Sequence, residues 1–289
     1  MSPTASPSPS EEPQLLRIPV NGIEVNAAVA GTGPALLMLH GFPHTWRLWS
    51  QVIGPLSEHH RVIAPDLRGL GDSTRAADGY DAENLARDAE QLLAALNVDS
   101  AEVVGIDAGA APAFLLALRR PDLVHRTVLM EAILGRLPGA EDFLSAGAPW
   151  WFGFHAVPGL AETVLSGHER EYVDWFLAAG TRGRGVPAGV RDAFVAAYTG
   201  TESLRCAFEH YRAMPETARQ IQAATAGRRL TTPVLAIGAQ PVGPALYHQL
   251  KRVADDVTGH TIAECGHIIP LDQPGALLGA LTDFLVTTR

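Results

Sequence analysis

The sequence predicts an α/β protein built on a mostly parallel sheet with helices on both faces and a late, all-helical insertion. Three observations predict it. Short apolar runs alternate with longer amphipathic stretches through the first half of the chain. Strand-like runs stop from about 133 to 228 and resume at 232. With 289 residues and 47% hydrophobic side chains, the chain can fill one large core.

The start, "MSPTASPSPSEEPQ", is rich in Pro and Ser and has no apolar h-region, so 1–13 reads as a disordered tail and not as a signal peptide. Segments near 15–20 and 23–30 read as an antiparallel ribbon at one sheet edge. "ALLMLHGF" (35–42), "RVIAPD" (61–66), "AEVVGID" (101–107) and "HRTVLMEA" (125–132) read as strands, with helix-like segments near 46–57, 83–97 and 109–120 between them. That βαβα order implies parallel pairing. The stretch 133–228 is helical and loop-like and carries Trp150, Trp151 and Trp175. Strands return at "TPVLAIGA" (232–239) and "GHTIAECG" (259–266), and the helix "GALLGALTDFLVT" closes the chain. The reading is an eight-stranded core from 14–132 and 229–289, with 133–228 as a cap over the strands' C-terminal edge, where open α/β sheets bind ligands. The most membrane-like window, 101–118, contains Glu102, Asp107 and Pro112, so it reads as a buried strand running into a buried helix.

Charge and cysteine usage narrow the function. Lys and Arg total 22 against 31 Asp and Glu, and the net charge of -9 sets up a field that repels nucleic acid and anionic lipid. The nearest basic stretch, "TRGRG" at 181–185, is short and reads as a loop. Cys206 and Cys265 are far apart, with neither a metal-like spacing nor the numbers for a disulfide framework, which fits a reduced cytoplasm. No cofactor or metal is expected. The expected partner is a small molecule, with a homodimer left open as an alternative to the monomer.

The chemistry centres on "VVGIDAGAA" (103–111), which has the shape of the Gly-x-Ser-x-Gly turn of serine hydrolases with Asp107 in place of the serine. Alone this pattern is a weak signal. Gly105 and Gly109 suit a tight strand-to-helix turn where side chains would collide, and such a turn thrusts its central residue into the cleft. "HGFP" (40–43) follows the third strand, where the N–H of Phe42 would form an oxyanion hole with that of Ala108. "CGH" (265–267) follows the last strand and places His267 in the order nucleophile, acid, histidine. The usual site for the acid, after "PVLAIG", has no carboxylate from Ala239 to Leu246. Glu131, ending the apolar strand "VLMEAIL", takes the role instead; its structural alternative is a salt bridge at the cap hinge. His44, His59, His60, His155, His168, His210 and His248 read as surface or cap residues with no partner that can be named.

With "HGFPHTWRLW", "VIAPDLRGLGDS", "GIDAG", "VLMEA", "FEHYRAM" and "CGH", the chain resembles an α/β-hydrolase of the epoxide hydrolase and haloalkane dehalogenase group over nearly all its length after the tail. Within the group it most resembles bacterial epoxide hydrolases, and its Trp150–Trp151 pair is similar to those of aromatic-polyketide pathways such as kinamycin biosynthesis. The resemblance implies that Asp107 forms an ester with the substrate and that His267, held by Glu131, activates the water that hydrolyses it. An aspartate suits this role because, with an ordinary pKa of ~3.9, it is already an anion at neutral pH. It also implies two acidic donors for the epoxide oxygen, two tyrosines or a histidine and a tyrosine. Tyr211 matches one position; at the other, Trp151 aligns best with Trp150 adjacent. An indole N–H can donate a hydrogen bond but cannot give up its proton, so Tyr211 is the acid and the tryptophans are polarising donors or pocket wall. Trp46 and Phe152 are expected to contact the substrate, and Trp150, Trp151, Phe152 and Phe154 hint at a flat aromatic one.

A haloalkane dehalogenase is the runner-up, although that group usually places Trp directly after the nucleophile, and fluoroacetate-type enzymes Arg, where this chain has Ala108. A non-catalytic ligand sensor on the same fold would have no need to retain Asp107, Glu131 and His267 together.

Overall fold

The computed structural model describes residues 12–145 and 147–286. Apart from Glu12 and Pro13, the tail expected over 1–13 lies outside the described residues. Eight strands form one sheet: β1 (Gln14–Val20), β2 (Ile23–Ala30), β3 (Ala35–Leu39), β4 (Arg61–Pro65), β5 (Ala101–Ile106), β6 (Val124–Met130), β7 (Val234–Gly238) and β8 (Val257–Thr261). Their order is β1-β2-β4-β3-β5-β6-β7-β8. The β1–β2 and β2–β4 pairs are antiparallel and every other pair is parallel. The predicted eight-stranded, mostly parallel α/β sheet is therefore the observed one.

Local chemistry explains the elements. Asn21 and Gly22, at φ 44° and 77°, make the two-residue turn between β1 and β2, and Asn-Gly is the pair that accepts two positive φ angles in succession. β3 is apolar and buried at all five residues, as expected of a central strand covered on both faces. The helix Ala82–Ala95 is capped by the Asp81 carboxylate, which accepts the Asn84 N–H at 3.1 Å, and it buries Leu85, Ala89, Leu92 and Leu93 along one face.

Two expected elements come out shorter. The helix expected over 46–57 is a single tight turn, Trp46–Trp49, followed by a five-residue helix, Ile53–Ser57. The strand expected over 259–266 is Val257–Thr261, and the chain then turns through Glu264 at φ 51° to deliver the following loop to the sheet's C-terminal edge. No helix among the described residues is long and apolar enough to cross a membrane.

Between β6 and β7 the described residues contain helices and no strand. The helices Trp150–Ala156, Glu169–Gly180, Ala188–Tyr198 and Thr201–Arg212 pack on one another there. Strand register decides what lies beneath them. Leu39 pairs with Gly105, Ile106 with Met130, and Met130 with Ile237. The residues just past these pairs, around 40, 107, 131 and 239, therefore emerge side by side along one edge.

Candidate active site

Asp107 follows β5 directly, with φ at 53° in the left-handed region that non-glycine residues seldom occupy. The turn needs its glycines. A Cβ on Gly105 would sit 2.4 Å from the Gly109 carbonyl oxygen, and one on Gly109 would sit 2.4 Å from that of Leu39. A Cβ on Gly41 would come within 2.2 Å of Asp107 Oδ1. The HGFP loop thus lies directly against the carboxylate, and the Phe42 N–H donates to Oδ1 at 2.8 Å. His40 fixes that loop: its Nε2 accepts the Leu67 N–H at 3.0 Å, which leaves Nδ1–H to donate to the Gly41 carbonyl at 2.9 Å.

The second oxygen, Oδ2, lies 3.3 Å from His267 Nε2, and His267 Nδ1 lies 3.2 Å from Glu131 Oε2. Glu131 is buried just past β6 at φ 41°. Its Oε1 accepts the Ala239 N–H at 2.6 Å and its Oε2 the Val242 N–H at 3.4 Å. The loop after β7 has no carboxylate of its own and instead holds one from the neighbouring strand with its peptide N–H groups. Among the described residues, the ion pair made by Glu131 is with His267, so the alternative of a hinge salt bridge has no support.

Electrostatics follow from this geometry. Burial pushes the Asp107 carboxyl up, but the hydrogen bond and charge of His267 and the N–H groups of Phe42 and Ala108 outweigh it and bring the pKa down to about 2. Burial pushes His267 down, but the two carboxylates outweigh it and raise the pKa to about 10. At neutral pH the site therefore holds a carboxylate and an imidazolium, with side chains 27% and 23% exposed.

Above Asp107 is an aromatic roof. The Phe42 ring meets His155, Phe176, Tyr198 and Tyr211 edge-on, at centroid distances of 5.3, 5.1, 5.3 and 5.5 Å. Tyr211 lies 4.3 Å from His155 and 5.6 Å from Phe152. Burial and the Asp107 charge hold the Tyr211 hydroxyl well above the ordinary tyrosine value, so it keeps its proton. His155 is not the partnerless residue expected from the sequence: it is buried, stacks on Phe208 at 4.1 Å, and shares a 2.6 Å hydrogen bond between Nε2 and the Tyr172 hydroxyl. Its Nδ1 has no hydrogen-bond partner among the described residues, and burial followed by Arg212 pushes its pKa down to about 3, so it is neutral. The signal that could have found it is spacing: His155 is four residues after Trp151 and three after Phe152 on one helix, hence on their face.

The tryptophans sit farther out. Trp150 is 56% exposed, and its ring contacts are Trp151, Phe154 and Trp175. Trp151 reaches inward only as far as Phe152 and Phe176, at 6.1 and 5.4 Å. Trp46 is buried, with its backbone N–H donating to Asp66 Oδ1 at 2.8 Å and the Arg47 guanidinium over its ring. His44, which the sequence left without a partner, is also buried; neither ring nitrogen meets a partner among the described residues, and burial takes its pKa to about 3. No group of three or more His, Cys, Asp or Glu side chains among the described residues could hold a metal ion.

Residues 34–170 match the family model for the alpha/beta hydrolase fold. Over 280 residues the chain is 30% identical to the soluble epoxide hydrolase of Corynebacterium sp., covering 93% of this chain and 96% of that one. It belongs to the α/β-hydrolase family. The hydrolase superposes on the crystal structure of Cfl2 from Burkholderia cenocepacia with a TM-score of 0.84 at 34% identity, covering 93% of this chain and 95% of that one. It is also 34% identical to a fluoroacetate dehalogenase of Burkholderia sp. over 121 residues, 40% of each chain. Epoxide hydrolases and a dehalogenase are thus both among the hydrolase's relatives.

Proposed function

We propose that this hydrolase opens an epoxide to a vicinal diol through a covalent ester on Asp107. The observation that carries the reading is a carboxylate, not a hydroxyl, on the nucleophile turn, with its charge acting on the protonated Tyr211 phenol and a neutral His155 ring 4.3 Å from that phenol. Asp107 Oδ1 is occupied by the Phe42 N–H, which leaves Oδ2 to attack. Oδ2 bonds to an epoxide carbon, the C–O bond of the ring breaks, and Tyr211 supplies the proton to the departing but tethered oxygen. His155, beside Tyr211, helps polarise that oxygen; Trp151 and Trp150 line the approach.

Esterification removes the charge that Asp107 presents to His267, so the imidazolium gives up its proton to solvent, and one proton returns from solvent to the Tyr211 phenolate left by ring opening. Neutral His267, oriented by Glu131, then takes a proton from water as the water oxygen adds to the ester carbonyl. Oδ1 becomes the oxyanion where the Phe42 N–H already lies, joined by that of Ala108. Collapse breaks the bond between the Asp107 carboxyl carbon and the alkyl oxygen; the proton on His267 goes to that oxygen, the diol leaves, and the carboxylic acid left on Asp107 passes its proton to His267 to restore the starting pair.

In this reading 133–228 is a lid, and the rings of Trp150, Trp175, Trp151, Phe176 and Phe42 run in unbroken contact from the surface to the nucleophile. A wall of such rings would suit a flat aromatic substrate. Cys206 and Cys265, both free and buried, suit a reducing cytoplasm.

The test is one catalytic cycle in heavy-oxygen water with protein in excess over styrene oxide. The new hydroxyl should carry oxygen from Asp107 and the label should enter the protein. A product labelled directly from solvent refutes the ester. Replacing His267 with Gln should leave an adduct of the substrate's mass on Asp107. The dehalogenase reading is supported by the fluoroacetate dehalogenase relative; halide release from haloalkanes without diol formation from epoxides would favour it.

A further inference from the structure

The loop that carries His267 is fastened from outside the triad. Asp272, whose side chain is 1% exposed, accepts the N–H of Gly266 at 2.6 Å, next to the histidine in sequence. Arg184 grips the same carboxylate with two prongs, Nε to Oδ1 at 2.6 Å and Nη2 to Oδ2 at 2.5 Å, and Nη2 also donates to the Glu264 carbonyl at 2.8 Å. Arg184 belongs to the segment joining the inserted helices Glu169–Gly180 and Ala188–Tyr198. The same segment makes further attachments. The Ile268 N–H donates to the Gly180 carbonyl at 2.9 Å, and Arg182 pairs with Glu264 at 2.9 Å. Gly266 packs so closely that a Cβ there would lie 2.3 Å from the Gly180 oxygen.

The fastening bears on one half of the reaction. In the proposed scheme Asp107 alone attacks the substrate, whereas His267 alone activates water. His267 spans two contacts of 3.3 and 3.2 Å, already at the long end for charge-assisted bonds, so a small loop displacement breaks them. We propose that Arg184 and Asp272 form a clamp that positions His267 for water activation and ties ester hydrolysis to the seating of the inserted helices on the core. Both are positioning residues, since they reach the chemistry only through the Gly266 peptide. The inference rests on the epoxide hydrolase reading for its kinetics but not for its geometry.

Arg184→Ala in the full chain separates the alternatives, because Arg184 is 44% exposed and lies outside the apolar core; an unchanged circular dichroism spectrum checks that the variant folds, and Arg184→Lys, which keeps a cation beside Asp272, is the second variant. The first readout needs no substrate: titration of His267 followed by imidazole nitrogen NMR. The charged or titratable groups around the loop are Asp107, Glu131 and His44 at the ring, and Asp272, Cys265, Glu264, Arg182 and Arg184 at its base. Removing a cation by charge alone would raise the His267 pKa. The clamp predicts the reverse, a fall of about one unit or more as the ring leaves its two carboxylates.

The second readout is a single turnover of styrene oxide, quenched and weighed: ester hydrolysis should slow about tenfold while alkylation stays within about twofold, so the adduct accumulates. Arg184→Lys, which keeps the charge but loses the fork, should slow hydrolysis less than Arg184→Ala. An unchanged or raised His267 pKa, or equal slowing of both steps, overturns the clamp. A lowered pKa in Arg184→Ala, with neither diol nor adduct formed from styrene oxide even in the His267→Gln protein, would uphold the clamp and refute the epoxide reading.

Discussion

Replacing Asp107 with Asn mimics the proposed ester, since it keeps the size of the side chain and removes its charge. In the native site His267 is held at about 10 by two carboxylates. Two unit charges 3.3 Å apart attract by about 5 kcal/mol at an effective dielectric constant of ~20. Both side chains are about a quarter open to solvent, so half of that, about 2.5 kcal/mol or about two pKa units, is the working figure. The amide adds to the fall. With its oxygen on the Phe42 N–H, it turns an NH₂ group toward His267 Nε2, and a donor there favours the neutral ring. His267 should therefore titrate at about 8 or lower in Asp107→Asn, against about 10 in the native protein. Imidazole nitrogen NMR measures this directly. A value still near 10 would mean that the nucleophile's charge does not hold the proton on His267, and the proposal that esterification releases the base would fall.

Other expectations concern the roof, the turn and the pH profile. Tyr211→Phe should slow alkylation by styrene oxide by about 10²-fold in single turnover, whereas Trp150→Phe, at an exposed ring remote from Tyr211, should leave it within about twofold. Gly41→Ala should abolish turnover, because the added methyl needs the space of Asp107 Oδ1; an active variant would show that the loop can move away from the carboxylate. Stability should peak near pH 6.5. His44, His155 and His210 are depressed to about 3, 3 and 4 in the folded protein, so unfolding takes up their protons and stability falls below pH 6.5, by about 4 kcal/mol per unit once all three unfolded rings are charged. His267 has the opposite sign: its folded pKa is raised, so the stability it contributes is complete below 6.5 and is lost as pH rises toward about 10. Urea midpoints from pH 5 to 9 test both limbs, and a profile flat from 7 to 5 would contradict the buried, neutral histidines.

The fold was legible wherever local chemistry and burial agree. The apolar runs of β3, β4, β5 and β7 have no other use than a buried strand, and Asn21-Gly22 marks its own turn. Legibility failed where tertiary contacts override an apolar run. The segment "IAECG" looks like a continuation of β8, but the close approach of Gly266 to Gly180 and the bond from Gly266 to Asp272 draw it out of the sheet. The roof was partly hidden for a similar reason. The resemblance of "FEHYRAM" points to Tyr211, and the spacing of His155 from Phe152 marks its helix face, but not its partners: Tyr172 lies seventeen residues away and Phe208 on a third helix. Trp150 and Trp151 drew attention by being conspicuous in sequence; in space they stand outside the ring contacts of Tyr211.

In the proposed scheme the acid that orients His267 comes from the end of β6, the neighbour of the strand that usually supplies it. Met130 pairs with Ile237, so the chain leaves β6 and β7 at adjacent points on the sheet edge. A carboxylate at the end of either strand can therefore reach the same imidazole, provided the other strand's loop accepts it. Here that loop accepts it by pointing the N–H groups of Ala239 and Val242 at the carboxylate, which offsets the cost of burying an anion whose ion pair among the described residues is with His267 and not with an arginine or lysine. Gln in place of Glu131 would remove the charge but keep an oxygen for one of those N–H groups, so the protein should fold while His267 loses one of the two anions that hold its proton. The sequence pointed to Glu131 by elimination, because no acid follows β7. The structure adds a physical reason for that reading: β6 and β7 are hydrogen-bonded neighbours in a parallel sheet and end side by side, so in the proposed scheme the sheet edge sets where the acid must lie and either strand could supply it.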